Sequence, residues 1–459
     1  MRDDYLRFLA AKAPRPHASG IEPQAMHDAL FDYQRDVIAF CLRQGRAALF
    51  LDTGLGKSAC LLEWCEQMQR ASNGVALILT PLAVAKQFER EAVKFGYEAR
   101  VVRDQSDVRP GINVCNYDRL DHLDPSAFGA VALDESGILK NFSGKTTLAL
   151  IRAFADTPYR LCATATPAPN DHMELGNHAA FLGIMSANEM LARWFINDTS
   201  SASQEWRLKR AAVDDFWDWV ASWSRCAETP ADLGYDASRF ALPPLNYHRH
   251  RVFGEVKATL GSLFVEDSSA TAIHQIKRET ADIRARCAAD LIAKEPAETW
   301  LVWCDTDYES SAIMRHLPDA VEIKGSMTAE RKEELIERFL CGNCVMVTKP
   351  SVAGMGLNFQ HCARMAYVGR TFSYEAFYQS VRRCWRFGQT RPVDVHLIVA
   401  EGEDQIGRVI DRKAGDHIVM KRAMALAMKR TARVTHDNSR VKYDPKHEGR
   451  FPEWLKSAV

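Results

Sequence analysis

Three groups of residues are suited by type and spacing to carry chemistry. The first is Thr53-Gly54-Leu55-Gly56-Lys57-Ser58, directly after the apolar run Ala47 to Leu51. Glycines at 54 and 56 permit positive φ, so successive backbone N–H groups can converge on phosphate oxygens. A helix that starts at the loop aims its positive dipole end at the same place. In that arrangement Lys57 reaches the β and γ phosphates of a nucleoside triphosphate and Ser58 ligates Mg2+. The full phosphate-loop pattern has a further glycine where this chain has Leu51, so the string alone specifies a phosphate site and nothing beyond it.

The second group is Asp134-Glu135, delivered by the apolar run Ala130-Val131-Ala132-Leu133. The carboxyl end of a strand in an open parallel sheet is where ligands bind. There Asp134 can hold Mg2+ through water and Glu135 can polarise an attacking water, since adjacent acids at a strand end point to different sides. The third group lies far away, at Tyr378-Gln379-Ser380-Val381-Arg382-Arg383-Cys384-Trp385-Arg386. Read as one helix, Gln379, Arg383 and Arg386 share a face at i, i+4 and i+7. Arginines so spaced can enter a facing phosphate site and stabilise charge on the γ-phosphate, whereas a mere basic patch needs no such spacing.

These groups require strands that end in loops and helices that return. Short apolar runs at Ala47 to Leu51, Val75 to Leu79, Ile112 to Cys115, Ala130 to Leu133 and Leu161 to Ala163 read as buried parallel strands. Amphipathic stretches such as Ala59 to Arg70 and Val84 to Phe95 read as crossover helices between them. The same grammar returns at Trp300 to Cys304, Ala320 to Ile323, Val345 to Val347, Met365 to Val368 and Val393 to Val399. Two doubly wound α/β domains are expected: 1–240, with a helical insertion over 171–240, and 241–400, followed by a helical basic extension over 401–459. The insertion holds five of the ten tryptophans, and Phe216, Trp219 and Trp223 fall at the spacing of a helix burying one face, which favours core packing over base stacking. Leu242-Pro243-Pro244-Leu245 reads as the linker into the second domain.

Bulk properties set outer bounds. The length of 459 residues accommodates several cores, and 47% hydrophobic with 26% charged residues is the ordinary globular range. No apolar run approaches the roughly 18–20 residues of a membrane span, and acids near Met1 are unlike a secretory signal, so no membrane partner and a cytoplasmic setting are expected. The twelve cysteines are scattered as reduced, buried thiols would be; Cys341 and Cys344 read as a turn, since a zinc ribbon wants a second close pair. With 59 basic and 59 acidic residues there is no global field for nucleic acid, although 421–459 is biased, ten Lys or Arg against four Asp or Glu.

Taken in order, the motifs resemble those of a superfamily-two helicase, and within it the Swi/Snf-like ATPases, DNA translocases of which compact forms occur in phages and prophages. Phe31-Asp32-Tyr33-Gln34 resembles the adenine-reading element, Thr53 to Ser58 motif I, and Thr80-Pro81-Leu82 motif Ia. Asp134-Glu135-Ser136-Gly137 with Lys140-Asn141 resembles motif II and its extension, and Ala163 to Pro167 with Asn170 resembles motif III. Lys324-Gly325-Ser326, Gly354 to Asn358 and Gln379 to Gln389 resemble motifs of the second domain. Gly137 stands where the family usually has His or Gln, and Ala165 where it has glycine; both departures bear on coupling between nucleotide state and DNA.

The resemblance implies two RecA-like domains and ATP with Mg2+ bound between them. It assigns nucleotide contacts to Gln34, the loop 53–58, Gly356 and Gln379, catalysis to Lys57, Asp134, Glu135, Arg383 and Arg386, and nucleic-acid contacts to Pro81, Lys140, Asn141, Lys324, Thr348 and Lys349. The implied activity is ATP-driven translocation on DNA, duplex favoured, in a bacterial or phage-infected cell. A nuclease or replication partner is conceivable on the same ground. A strand-separating helicase on DNA or RNA, and a catalytically silent nucleic-acid-binding scaffold, are the alternatives.

Overall fold

The computed structural model describes residues 16–81, 84–141, 144–198, 205–253, 270–353, 358–401 and 403–437. The first sheet contains β1 (Arg46–Leu51), β2 (Val75–Thr80), β3 (Ala99–Val101), β4 (Gly111–Asn116), β5 (Ala130–Asp134), β6 (Tyr159–Ala163) and β9 (Ser224–Ala227). Their order is β3-β4-β2-β5-β6-β1-β9, and every pairing is parallel. Alternate side chains divide between two cores: Ala48, Phe50, Leu77, Leu79, Val131 and Leu133 face one, and Ala47, Leu49, Ala76, Ile78, Ala130 and Ala132 the other. Continuous apolar runs are what a sheet covered on both faces demands.

The second sheet is also wholly parallel, in the order β10-β15-β14-β11-β13-β12. Its strands are β10 (Leu245–Val252), β11 (Trp300–Trp303), β12 (Val321–Ile323), β13 (Val345–Thr348), β14 (Arg364–Tyr367) and β15 (Val393–Ala400). Leu301 and Trp303 pack on one face, Trp300 and Val302 on the other. Two RecA-like, doubly wound α/β units follow from these sheets, as the alternation of strand and helix leads one to expect.

The segment 171–240 is only partly helical. It also carries a small antiparallel hairpin, β7 (Phe195–Asp198) with β8 (Glu205–Leu208), and it returns β9 to the first sheet beside β1. Trp194, Trp217, Trp219 and Trp223 are buried, with Phe216, in the core under the helix Val213–Trp223. After the prolines the chain does not merely link: β10 runs parallel to β15 over eight residues.

The helix Asp404–Asp437 touches both units. Ile406 and Ile410 pack with Tyr374 on the second, whereas Met420, Met424, Ala427 and Met428 enter the core of the first. Arg430 pairs there with Asp214 and Asp218. Among the described residues no helix is long and apolar enough to cross a membrane.

Candidate functional site

Strand β1 ends at Leu51, and the loop that follows reverses through Gly54 (φ 91°) and Gly56 (φ 75°) into the helix Lys57–Ala71. Both glycines are needed for room as well as for φ. A Cβ on Gly56 would lie 2.2 Å from Gln34 Nε2, and one on Gly54 would lie 3.0 Å from Phe387 Cβ of the second unit. Lys57 Nζ donates to the carbonyls of Leu51 (2.9 Å) and Asp52 (3.3 Å), which curls its ammonium over the loop. Burial lowers its pKa, Arg383 adds to this, and Glu135, Asp52 and Asp134 oppose it. All four of those charged groups therefore surround one ammonium.

Asp134 and Glu135 leave β5 as the pattern requires. Thr80 Oγ1 donates to Asp134 Oδ2 at 2.9 Å. Burial, reinforced by the Glu135 charge, holds the Asp134 carboxyl up at about 7 despite Thr80 and Lys57. Two carboxylates this close cannot both ionise cheaply, and a divalent cation is what would relieve them. Glu135 is the one non-glycine residue with positive φ (56°) among the described residues. That conformation costs roughly 1 kcal/mol for a residue with a Cβ. It turns the carboxylate toward the strand β6 side, where Thr164 Oγ1 donates to Glu135 Oε1 at 2.6 Å. Neighbouring Ser136 pairs with buried His178 at 3.2 Å.

From the second unit, the helix Tyr374–Val381 presents Gln379 and the arginines. The single helical face expected for Gln379, Arg383 and Arg386 is not formed, because the helix stops at Val381. Arg383 N–H bonds back to Ser380 O and Trp385 N–H to Val381 O, making tight turns, while the Arg383 carbonyl is taken by Phe359 N–H and the Trp385 indole by Pro243 O. Tertiary partners claim the groups that further helix would use. Arg383 still reaches the site: burial and Arg386 lower its pKa to about 10, and Glu135 and Asp134 pull it upward. Arg386 is half-buried in the field of Glu91.

The donors suit a phosphate ligand. Thr53 Oγ1, Gln379 Nε2 and Arg386 Nε are buried without a protein partner, an arrangement that costs free energy unless an acceptor arrives. Gln34 is placed differently from a free adenine reader. Its Oε1 accepts from Phe31 N–H and its Nε2 donates to Leu55 O, both at 3.0 Å, so it braces the loop from behind. Ser58 lies in the first turn of the loop helix. Gly356 and the neighbouring motif residues 354–357 lie outside the described residues, as does Leu82.

Of the residues expected at nucleic acid, Pro81 is half-buried and Asn141 is exposed. Lys140 pairs with Glu375 across the two units, Lys324 with Glu322 (3.0 Å) and Lys349 with Asp307 (2.8 Å). Thr348 departs from the expectation. It is 1% exposed and its hydroxyl donates inward to Ile323 O, because β13 is an interior strand. Gly137 gains a reason here: a Cβ would lie 2.9 Å from Glu375 Oε1, so the absent side chain makes room for the second unit's carboxylate.

The sequence reading missed Asp52. This residue is 1% exposed, and its carboxylate accepts from Thr53 N–H at 2.7 Å and from Tyr378 and Arg382 of the second unit. An acid at the end of a buried strand was the available signal.

Comparison with known proteins adds three findings. Residues 284–388 match the family model described as helicase conserved C-terminal domain. The chain is 22% identical over 427 residues to the SWI/SNF-related matrix-associated actin-dependent regulator of chromatin subfamily A-like protein 1 of Xenopus tropicalis, covering 84% of this chain and 44% of that protein. The Xenopus laevis protein of the same name is also 22% identical, with 84% and 43% covered. The chain thus spans less than half the length of these relatives. Among solved structures, the Sulfolobus solfataricus SWI2/SNF2 ATPase core in complex with dsDNA aligns with 15% identity and a TM-score of 0.41, over 89% of this chain and 96% of that one. Residues 284–388 thus carry a helicase C-terminal domain match, and over most of its length the chain is similar in sequence to SWI/SNF-related proteins.

Proposed function

We propose that the protein is an ATP hydrolase stimulated by nucleic acid, which uses the cycle to translocate on DNA, duplex DNA foremost. The observation that carries this reading is the convergence of Lys57, Asp134 and Glu135 from one sheet with Arg383 from the other unit, each in the field of the others. A site split between two units responds to its ligand by closing.

In this reading Lys57 leaves the Leu51 and Asp52 carbonyls for the β and γ phosphates, which enter over the loop N–H groups. Asp134 and Ser58 are the residues that would hold Mg2+, which when bound neutralises phosphate charge. Glu135, fixed by Thr164, takes the proton from the attacking water. Arg383 and Arg386 stabilise charge that develops on the transferred phosphoryl group. Closing and reopening then shifts the grip of two units along a backbone, with Pro81, Lys140, Asn141, Lys324 and Lys349 as contacts that position without reading sequence. Lys140, Lys324 and Lys349 would exchange their present carboxylate partners for phosphates on binding.

The test is ATP hydrolysis measured with duplex DNA, single-stranded DNA and RNA side by side, for wild type and Lys57→Ala. Stimulation by duplex DNA that vanishes in Lys57→Ala supports the reading. A rate indifferent to nucleic acid, or unchanged in the variant, overturns it. Triplex displacement without strand displacement identifies a translocase; strand displacement identifies a strand-separating helicase; DNA binding with no hydrolysis identifies a scaffold.

A further inference from the structure

Behind the phosphate loop lies a buried group of charges that joins three distant parts of the chain. Asp52 follows β1 and opens the loop. Its carboxylate meets Arg382 Nη2 and the Tyr378 hydroxyl from the second unit, and Lys421 Nζ at 3.8 Å from the C-terminal helix. Lys421 is 2% exposed and also lies 3.5 Å from Glu228, which follows β9. Asp52, Arg382 and Lys421 are thus buried together with the exposed Glu228 carboxylate at their margin, and leaving one of the buried charges without its partner would be costly.

Tyr378 is the hub. Its hydroxyl donates to Asp52 and accepts from Arg382 (3.3 Å) and Lys421 (3.4 Å). Its ring lies 5.6 Å from that of His417, one turn before Lys421 on the same helix. The connection to chemistry is short. The Asp52 carbonyl accepts from Lys57, its peptide N–H bonds Ala227 O at 2.9 Å, and Arg382 immediately precedes Arg383. Moving the Asp52 carboxylate therefore moves the loop on one side and the arginine turn on the other.

We propose that Lys421 is a positioning residue of the nucleotide site: by holding Asp52 against Arg382, it sets the phosphate loop and the Arg383 turn at the spacing that hydrolysis needs. The C-terminal helix is then a working part of the motor. Its polar anchor is Lys421, and Met420, Met424 and Met428 are the apolar ones that seat it in the first unit. This deepens the ATPase reading and rests on it.

The experiment compares full-length wild type with Lys421→Met, Lys421→Gln, Lys421→Arg, Asp52→Asn, the Asp52→Asn/Lys421→Met double variant and Arg430→Ala. Each is checked for folding by circular dichroism and melting. ATP hydrolysis with saturating DNA gives kcat and KM, and a non-hydrolysable ATP analogue gives Kd. A lost positioning residue lowers kcat about tenfold or more in Lys421→Met, with analogue Kd within about threefold of wild type. Lys421→Arg restores most of the rate, and the double variant is no slower than Asp52→Asn alone, because both act through one link. Arg430→Ala, which removes only an outer anchor of the helix, keeps the wild-type rate. Should Lys421→Met fail to fold, Lys421→Gln, which keeps a polar group beside Tyr378 and Glu228, decides the matter by the same kcat criterion.

A kcat within about twofold of wild type in folded Lys421→Met, or in Lys421→Gln where Lys421→Met does not fold, overturns the proposal. So do losses that multiply in the double variant, or an equal loss in Arg430→Ala, since either assigns the helix a purely structural role. Wild-type protein without ATP hydrolysis removes the ATPase reading and this inference together. Hydrolysis in wild type that is indifferent to Lys421 removes the inference alone.

Discussion

The hydroxyl of Thr164 donates to the carboxylate of Glu135 at 2.6 Å, and the same hydroxyl accepts from Thr166 N–H at 3.1 Å. The acid at the end of β5 is thereby oriented by the residue that follows β6, its neighbour in the sheet. Changes in the loop after β6 pass to the Glu135 carboxylate through one oxygen atom.

Thr164→Val keeps shape and removes that oxygen. Hydrolysis should fall about tenfold to a hundredfold, because a general base that is not held in line loses most of its advantage. Affinity for a non-hydrolysable ATP analogue should change little, which steady-state rates and equilibrium titration together will check.

Glu135 is also a site of stored strain. Glu135→Gly relieves a left-handed backbone that only glycine adopts freely, and should raise stability by roughly 0.5–1 kcal/mol in denaturant titration while abolishing hydrolysis. Glycine's larger unfolded-state entropy sets the upper limit on the gain.

Asp134 has a folded pKa of about 7, raised by burial and by Glu135. Against an unfolded value near 3.9, the folded chain binds more protons between the two, so this group favours folding at low pH and that contribution is lost as pH rises toward about 7. Asp134→Asn carries no such cost. In metal-free buffer it should be more stable than wild type near pH 8, by roughly 1–2 kcal/mol, with the difference gone near pH 4. Wild-type hydrolysis should decline below about pH 7, as protons compete with Mg2+ for the carboxylate. A melting series across pH, beside a pH–rate profile, measures both.

Gly137 and Glu375 form a steric pair across the two units. A methyl at 137 would displace the Glu375 carboxylate and break its contact with Lys140. Gly137→Ala should leave basal hydrolysis near wild type and lower its stimulation by DNA about threefold or more, through the altered approach of the units. Glu375→Asp in the same chain, shorter by one methylene, should restore the stimulation in a DNA titration.

The interior strands were legible because each is a run such as Ala-Val-Ala-Leu at 130–133, buried on both faces. Strand β10 was not: Leu-Asn-Tyr-His-Arg-His-Arg-Val is the edge of its sheet, and its mostly exposed charged residues carry no apolar run. Strand β9 is four residues long and gains its place only from β1. Lys57, Asp134 and Glu135 could be found because local strand-to-loop patterns announce them. Helical spacing singled out Arg383 and Arg386 by a geometry that tertiary contacts cancel after Val381. Asp52 shows locally only as an acid after a buried strand and Lys421 carries no local signature, since their meaning arises from a contact between residues 369 positions apart in the chain.

Strand β1, which leads into the glycine loop 53–58, is an interior strand only because β9 covers its outer side, pairing Ala48 with Ser224 through Leu51 with Ala227. During synthesis the ribosome delivers β9 some 170 residues after β1. Until then the strand stands at an open margin with unpaired backbone groups and apolar side chains, the condition under which sheets recruit foreign strands. Fragments that stop before Ser224 should accordingly precipitate or demand chaperones, although every motif residue of the first unit is already present in them.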